Sequence, residues 1–177
     1  MNRNNTVSPN QRADFLDFQR RWFARFEEIL DAGKSGPVWL KNPEIAALVA
    51  DSLKYRDGKV YDLKAFTIMS NHVHAVFAPF LNFRSLREVA GSNPLKFESE
   101  APTLGAIMQS LKGYTAYEAN KILNRNGKFW ETESYDHEVR NAEELNRIIR
   151  YVLNNPVKAK LVKDWRDWPW NWLKTQT

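Results

Sequence analysis

His72 and His74 flank a single valine in the run Ile68-Met69-Ser70-Asn71-His72-Val73-His74-Ala75-Val76-Phe77, and the chain has only one other histidine, His137. The neighbours are apolar, β-branched or aromatic, which is the composition of a strand. A strand sends alternate side chains to opposite faces, so both imidazoles project from one face, roughly 7 Å apart at Cα. Two neutral imidazoles at that spacing can share one metal ion. Val73, Ala75 and Phe77 then turn the other way, into a core. Tyr151 and Asn155 form a second pair, four residues apart in a stretch of helical periodicity, which puts them on one helix face beside the apolar stripe. A phenol is a weak nucleophile at neutral pH because its pKa is about 10. It becomes effective where a metal polarises the group under attack. An amide oxygen from Asn155 beside two imidazoles leaves positions open for phosphate oxygens, which suits Mg²⁺ or Mn²⁺ better than a closed zinc cage.

Each residue also has an ordinary structural reading. A strand His-x-His can be a surface pair, a helix tyrosine beside an apolar stripe can be core, and an Asn before Pro can simply end a helix. His137, in Tyr135-Asp136-His137, is a candidate third ligand, but a lone His in such a run reads first as hydrogen-bonded to Asp136 or exposed.

Composition narrows the classes. With 177 residues, 43% of them hydrophobic, the chain can bury the core of one domain. It has no cysteine, which excludes disulfides, thiolate metal sites and cysteine nucleophiles. No apolar run is long enough to span a bilayer, and the polar start Met1 to Thr6 lacks an apolar signal core, so a soluble, cytoplasmic protein with no membrane partner is expected. A formal charge of +5 favours polyanionic partners, nucleic acid first. Seven tryptophans could stack unpaired bases, although filling the core is the reading for most of them.

The elements that must position these residues follow from periodicity. Residues 1–14 read as disordered, and residues 15–177 as a single domain. Phe15 to Leu30 is amphipathic at helical spacing, ended by Gly33 and Gly36-Pro37. Pro43 to Leu53 is a second helix with proline in its first turn. Arg56-Asp57-Gly58-Lys59 is a turn. Tyr61 to Met69 and Asn71 to Pro79 are strands separated only by Ser70 and Asn71, hence an antiparallel hairpin. Leu81 to Pro102 is mixed. Thr103 to Leu123 is a long helix, with Leu104, Ile107, Met108, Leu111, Tyr114 and Ile122 on or near one face. Phe129 to Val139 reads as extended. Asn141 opens another helix with Glu144 three residues on, as in a capping box. Leu145, Ile148, Ile149 and Val152 form its stripe, and Pro156 is expected to stop it. The Trp-rich tail from Asp164 to Leu173 is expected to lie across the surface.

Six segments, in order, carry a resemblance. Met69-Ser70-Asn71-His72-Val73-His74 is similar to the Met-Pro-Asn-His-Val-His segment of the REP-associated tyrosine transposases, within the single-tyrosine HUH transposase superfamily. Trp39-Leu40 through Pro43-Glu44-Ile45-Ala46 resembles the lead-in to that family's first conserved helix. Ser110-Leu111-Lys112-Gly113-Tyr114-Thr115-Ala116 resembles its long-helix motif. Phe129-Trp130 with Glu133-Ser134-Tyr135-Asp136-His137 and Val139-Arg140 resembles its last strand. Arg150-Tyr151-Val152-Leu153-Asn154-Asn155-Pro156-Val157-Lys158-Ala159 resembles its tyrosine motif, and Asp167-Trp168-Pro169-Trp170 its closing segment. The likeness spans roughly residues 15–172.

The resemblance implies an α+β, ferredoxin-like antiparallel sheet covered by helices, with a Trp-rich C-terminal tail. It implies cleavage and rejoining of single-stranded or hairpin DNA near palindromic repeats, by one tyrosine and one divalent metal ion, Mg or Mn, in a monomer or homodimer. Tyr151 would be the nucleophile, leaving a 5′-phosphotyrosyl link and a free 3′-OH. His72 and His74 would hold the metal, with Asn155 where the superfamily places a polar third ligand. Tyr135 and Tyr114 compete as nucleophiles, but Tyr151 alone pairs with an amide one turn away. Lys112, Arg140, Arg147, Arg150 and Lys158 are candidate DNA-phosphate contacts.

Two departures accompany it. Ser70 replaces the family's usual proline. The family also carries a central strand before the region of Phe15 to Leu30, and residues 1–14 contain no convincing strand. Either the reading frame begins upstream, or the member is truncated, or the sheet is rebuilt. Two other functions stay open at this point: a non-catalytic DNA-hairpin binder, and a small metallohydrolase using His72, His74 and a carboxylate such as Asp136.

Overall fold

The computed structural model describes residues 36–80, 102–132 and 134–175. The expected helix from Phe15 to Leu30, the expectation of disorder for residues 1–14 and most of the mixed stretch from Leu81 lie outside them. Among the described residues the chain is an α+β unit: a three-stranded antiparallel sheet, three α-helices and two 3₁₀ turns, Trp39–Lys41 and Trp165–Asp167.

Helix α1, Pro43–Arg56, begins where Asn42 Oδ1 accepts the Glu44 N–H at 2.9 Å and Pro43 occupies a position whose N–H is not needed. It runs three residues past the expected Leu53, because Lys54 and Arg56 suit the negative end of the helix. Gly58, at φ +74°, then turns the chain back, and its N–H donates to the Tyr61 carbonyl at 2.9 Å. Strands β1, Tyr61–Ile68, and β2, Val73–Pro79, form the expected hairpin. The Met69 N–H donates to the His72 carbonyl at 2.9 Å, so Ser70 and Asn71 alone make the turn.

The expectation that the tail only crosses the surface is corrected. Its residues Asn171–Leu173 form β3, which pairs antiparallel with β1, giving the order β2-β1-β3. Trp172 stacks on Phe66 with ring centres 5.7 Å apart, and the Trp168 indole N–H donates to the Ile68 carbonyl at 3.1 Å. Tryptophan combines a large apolar area with a donor that seeks a carbonyl, so this tail docks along the sheet.

Register assigns the faces. Val73, Ala75 and Phe77 lie with Ile68, Phe66 and Leu63 on one side. Together with Tyr61 they meet α1 through Ile45, Val49 and Leu53, and α2, Leu104–Ile122, packs on α1. The buried stripe of α2 is Ile107, Leu111, Thr115 and Ala119, whereas Tyr114 and Ile122, expected on it, are exposed. Thr115 and Ala119 replace larger apolar residues there because a bulkier chain is laid against them. Trp130 donates its indole N–H to Thr115 Oγ1 at 2.8 Å, and Phe129 stacks on Trp39 at 5.0 Å. Phe129 to Val139, read as extended and matched by the resemblance to a last strand, forms neither helix nor strand at its described residues, and Phe129 and Trp130 pack against Trp39 and α2 instead.

The opposite face of the sheet belongs to α3, Ala142–Lys158. Asn141 Oδ1 accepts the Glu144 N–H at 2.8 Å, and Glu144 Oε2 reaches back to the Arg140 N–H at 3.0 Å, a capping box shifted by one residue. Pro156 does not stop this helix. Proline removes one N–H, yet Ala159 N–H still donates to the Asn155 carbonyl and Leu161 N–H to the Pro156 carbonyl, both at 2.9 Å, and the ring is fully buried. The helix ends instead with Lys160 in the left-handed region, at φ +59°.

Candidate functional site

The site lies between the sheet and α3. Alternation along β2 puts His72, His74 and Val76 on the α3 side, and register places Thr67 of β1 directly opposite His74 and Asn171 of β3 opposite Thr67. Three polar side chains therefore run in a row across the three strands, a pattern unlike the apolar opposite face.

The two imidazoles lie close together, ring centres 4.8 Å apart and nearly perpendicular. His72 is 8% exposed, and the Nε2 atoms of both rings are buried. His72 Nδ1 meets Asn71 Oδ1 at 2.9 Å. An amide oxygen only accepts, so in that contact Nδ1 carries the proton and donates. Burial pushes the His74 pKa down to about 3, aided by His72 and by the Lys158 ammonium. His74 is thus neutral at physiological pH, the form in which imidazole binds metals.

Helix α3 brings Tyr151 over this pair. Its ring centre is 6.3 Å from that of His74, at 82°. Lys158, two turns on, places Nζ 5.5 Å from the Tyr151 ring centre. Asn155 is fully buried, more deeply than a flanking position predicts, with Nδ2 3.5 Å from the Tyr151 carbonyl. The helix fixes this geometry because residues four apart share a face, and Val152, Leu153 and Pro156 anchor it.

Among the described residues no group of three or more His, Cys, Asp or Glu side chains is placed to hold a metal ion. Asp136 does not join His72 and His74; it lines a groove with Lys112 of α2 and with Trp130 from the segment that follows α2. The available donors are two imidazoles, that of His74 neutral, and a buried amide. Such a set contains no anionic ligand, so it fits a divalent ion completed by phosphate or solvent oxygens and does not fit a closed structural zinc site.

The other sequence candidates separate. Lys112 donates from Nζ to the carbonyls of Glu131, at 2.9 Å, and Thr132, at 3.4 Å, so it ties the loop after α2. Arg147 lies 3.5 Å from Glu144, Arg150 donates from Nε to the Asn146 carbonyl at 3.3 Å, and Arg140 is exposed just before α3. Tyr135 is exposed in the irregular segment, and Tyr114 is on α2, behind the opposite face of the sheet. His137 is exposed, the second of its two structural readings, and pairs with Glu144 at 3.2 Å rather than with Asp136. Thr67 and Asn171 were not among the candidates. Thr67 was within reach of the sequence, because a two-residue turn at Ser70 and Asn71 fixes it opposite His74. Asn171 was not, since its place depends on β3. Its Nδ2 donates to the carbonyls of Leu153, at 2.9 Å, and Trp165, at 2.7 Å, joining β3 to α3.

Comparison of the chain with protein-family models, curated proteins and solved structures finds no match.

Proposed function

We propose that this chain cleaves and rejoins single-stranded DNA near palindromic repeats, as a metal-dependent tyrosine strand transferase of the HUH type. The observation that carries the reading is the Tyr151 ring 6.3 Å from His74, itself 4.8 Å from His72. The motif resemblance assigns the same three residues to one reaction.

In this reading Tyr151 Oη attacks phosphorus and loses its proton. The 3′ oxygen leaves with the P–O bond pair and takes up a proton, which gives a 5′-phosphotyrosyl bond and a free 3′-OH. Attack by a 3′-OH on the phosphotyrosine reverses the step, so no nucleotide triphosphate is required. His72, His74 and Asn155 would hold a divalent ion, Mg or Mn, whose charge polarises the scissile phosphate. Lys158 Nζ lies 5.5 Å from the Tyr151 ring centre, which puts a positive charge beside the attacking residue. Arg140, Arg147 and Arg150 lie along or just before the same helix, where they can hold backbone phosphates. Positioning and charge supply most of the rate.

The test is incubation with end-labelled hairpin DNA and Mn²⁺, followed by a denaturing gel. A covalent protein–DNA adduct is expected, and it disappears in Tyr151→Phe. Tight binding without an adduct would replace the reading with a non-catalytic hairpin binder. Metal-dependent hydrolysis of small esters that survives Tyr151→Phe would replace it with a metallohydrolase.

A further inference from the structure

Three tyrosines on the outer surface of α1 and α2 are widely exposed: Tyr55 at 68%, Tyr114 at 51% and Tyr117 at 62%. Each carries a cation against its ring. Lys59 Nζ is 3.1 Å from the Tyr55 ring centre, the Arg56 guanidinium carbon 5.9 Å from that of Tyr114, and Lys121 Nζ 4.2 Å from that of Tyr117. Arg56 also donates to the carbonyl and hydroxyl of Ser110, both at 3.3 Å, so the end of α1 is tied to α2 one turn before Tyr114. Tyr114 and Tyr117 are three residues apart and therefore neighbours on one helix face. The Tyr55 turn meets that face at the Arg56 junction. Glu118 is the carboxylate on this stretch of α2, and Lys121 pairs with it at 3.1 Å.

Ordinary surfaces scatter single tyrosines, and a core would hide them. A run of exposed aromatic rings, each beside a positive charge, matches a ligand that alternates planar aromatic groups with anions. A ring has two faces, and one cation covers only one of them. Single-stranded nucleic acid presents that alternation, since bases stack on aromatic faces while Lys and Arg meet the phosphates.

We propose that this surface is a second binding track for single-stranded DNA, with bases stacked on Tyr55, Tyr114 and Tyr117 and phosphates held by Arg56, Lys59 and Lys121. It lies on the far side of the sheet from His74 and Tyr151, behind α1. The choice of DNA over RNA rests on the strand-transfer reading above; the stacking does not.

The test uses the full chain carrying Tyr151→Phe, so that covalent capture plays no part. Binding of a fluorescent oligothymidine is compared with that of an abasic strand of equal length and charge. The parent should prefer the oligothymidine. Replacing the three tyrosines with alanine should erase that preference, at about fivefold or more in affinity for each ring. The positions are exposed, so the variant should melt with its parent, and a circular dichroism melt checks this. Independently, light-induced crosslinking of 5-iodouracil DNA should label peptides containing Tyr55, Tyr114 or Tyr117. Equal affinity for the thymidine and abasic strands, tighter binding of an oligouridine RNA, or crosslinks confined to other peptides would overturn the proposal. An adduct at Tyr151 in the native chain with unchanged binding in the triple variant would sink this track and leave the strand-transfer reading standing. The reverse pattern would do the opposite.

Discussion

Thr67 is the residue on which the polar layer of the sheet turns. It is fully buried between His74 and Asn171, and its hydroxyl has no hydrogen-bond partner among the described residues. A buried hydroxyl in that state costs about 1–3 kcal/mol relative to one left in water. Thr67→Val keeps the branched shape and removes the cost. Urea denaturation should therefore show the variant more stable by about 1 kcal/mol. A lowered midpoint would mean that the hydroxyl is satisfied in solution. If the strand-transfer reading holds, the adduct assay adds a second measure. A more stable protein with slower adduct formation would mark Thr67 as a residue that orients His74, since a purely structural role moves stability alone.

At the scale of elements, the least expected piece is β3, and its attachment is electrostatic as well as aromatic. Lys174, just past β3, donates to Asp62 at 2.8 Å and to Asp57 at 3.1 Å. These bonds join the tail to β1 and to the turn after α1. The Lys174 hydrogen bond, reinforced by Lys64, holds the Asp62 carboxyl below its ordinary value. Asp57 is held low first by the Leu63 N–H, which it accepts at 2.8 Å, and then by Lys174. A carboxylate whose folded pKa is depressed contributes stability that is present above the unfolded value, near 3.8, and lost as pH falls through the folded one. Stability should therefore decline below about pH 4. In Lys174→Met the difference between denaturation midpoints at pH 7 and pH 3 should shrink, and the same narrowing should appear in the native chain at high salt. An undiminished pH difference would place the acid sensitivity elsewhere. The sequence let α1, the hairpin, α2 and the cap of α3 be read, because each is specified locally by a cap, a turn or a period. It did not reveal β3, the continuation of α3 through Pro156, or the role of Thr115. Those depend on partners far along the chain: a tryptophan that finds a carbonyl a hundred residues away, a proline whose lost bond is offset by burial, and an indole that selects a hydroxyl. The candidate site divides the same way. His72, His74 and Tyr151 follow from alternation and helical spacing, whereas Asn171 needs the whole sheet.

For the molecule as a whole, the layers run α3, sheet, α1, α2, and this order decides which basic residues can act together on a polyanion. The net charge of the chain is +5, and both outer layers carry basic side chains, Lys112 and Lys121 on α2 and Arg147, Arg150 and Lys158 on α3. Affinity for DNA falls with salt by a slope close to one logarithmic unit per phosphate neutralised, so the slope counts contacts. The sequence alone makes Lys112 and Arg150 equivalent candidates, but their surroundings differ. Lys112 is partly buried on α2, which lowers its pKa, and it donates to two loop carbonyls, so its charge serves the fold. Arg150 is exposed on α3, one residue before Tyr151, with one bond back to its own helix. Arg150→Gln should lower the salt slope for hairpin DNA by about one and weaken all sequences alike. Lys112→Met should leave the slope unchanged and lower the thermal midpoint, because the Glu131 and Thr132 carbonyls lose their donor. Measuring both variants by anisotropy across a salt series discriminates sharply. If Lys112→Met carries the loss of slope and Arg150→Gln does not, the strand runs over α2 alone, and α3 with its tyrosine is not where DNA lies.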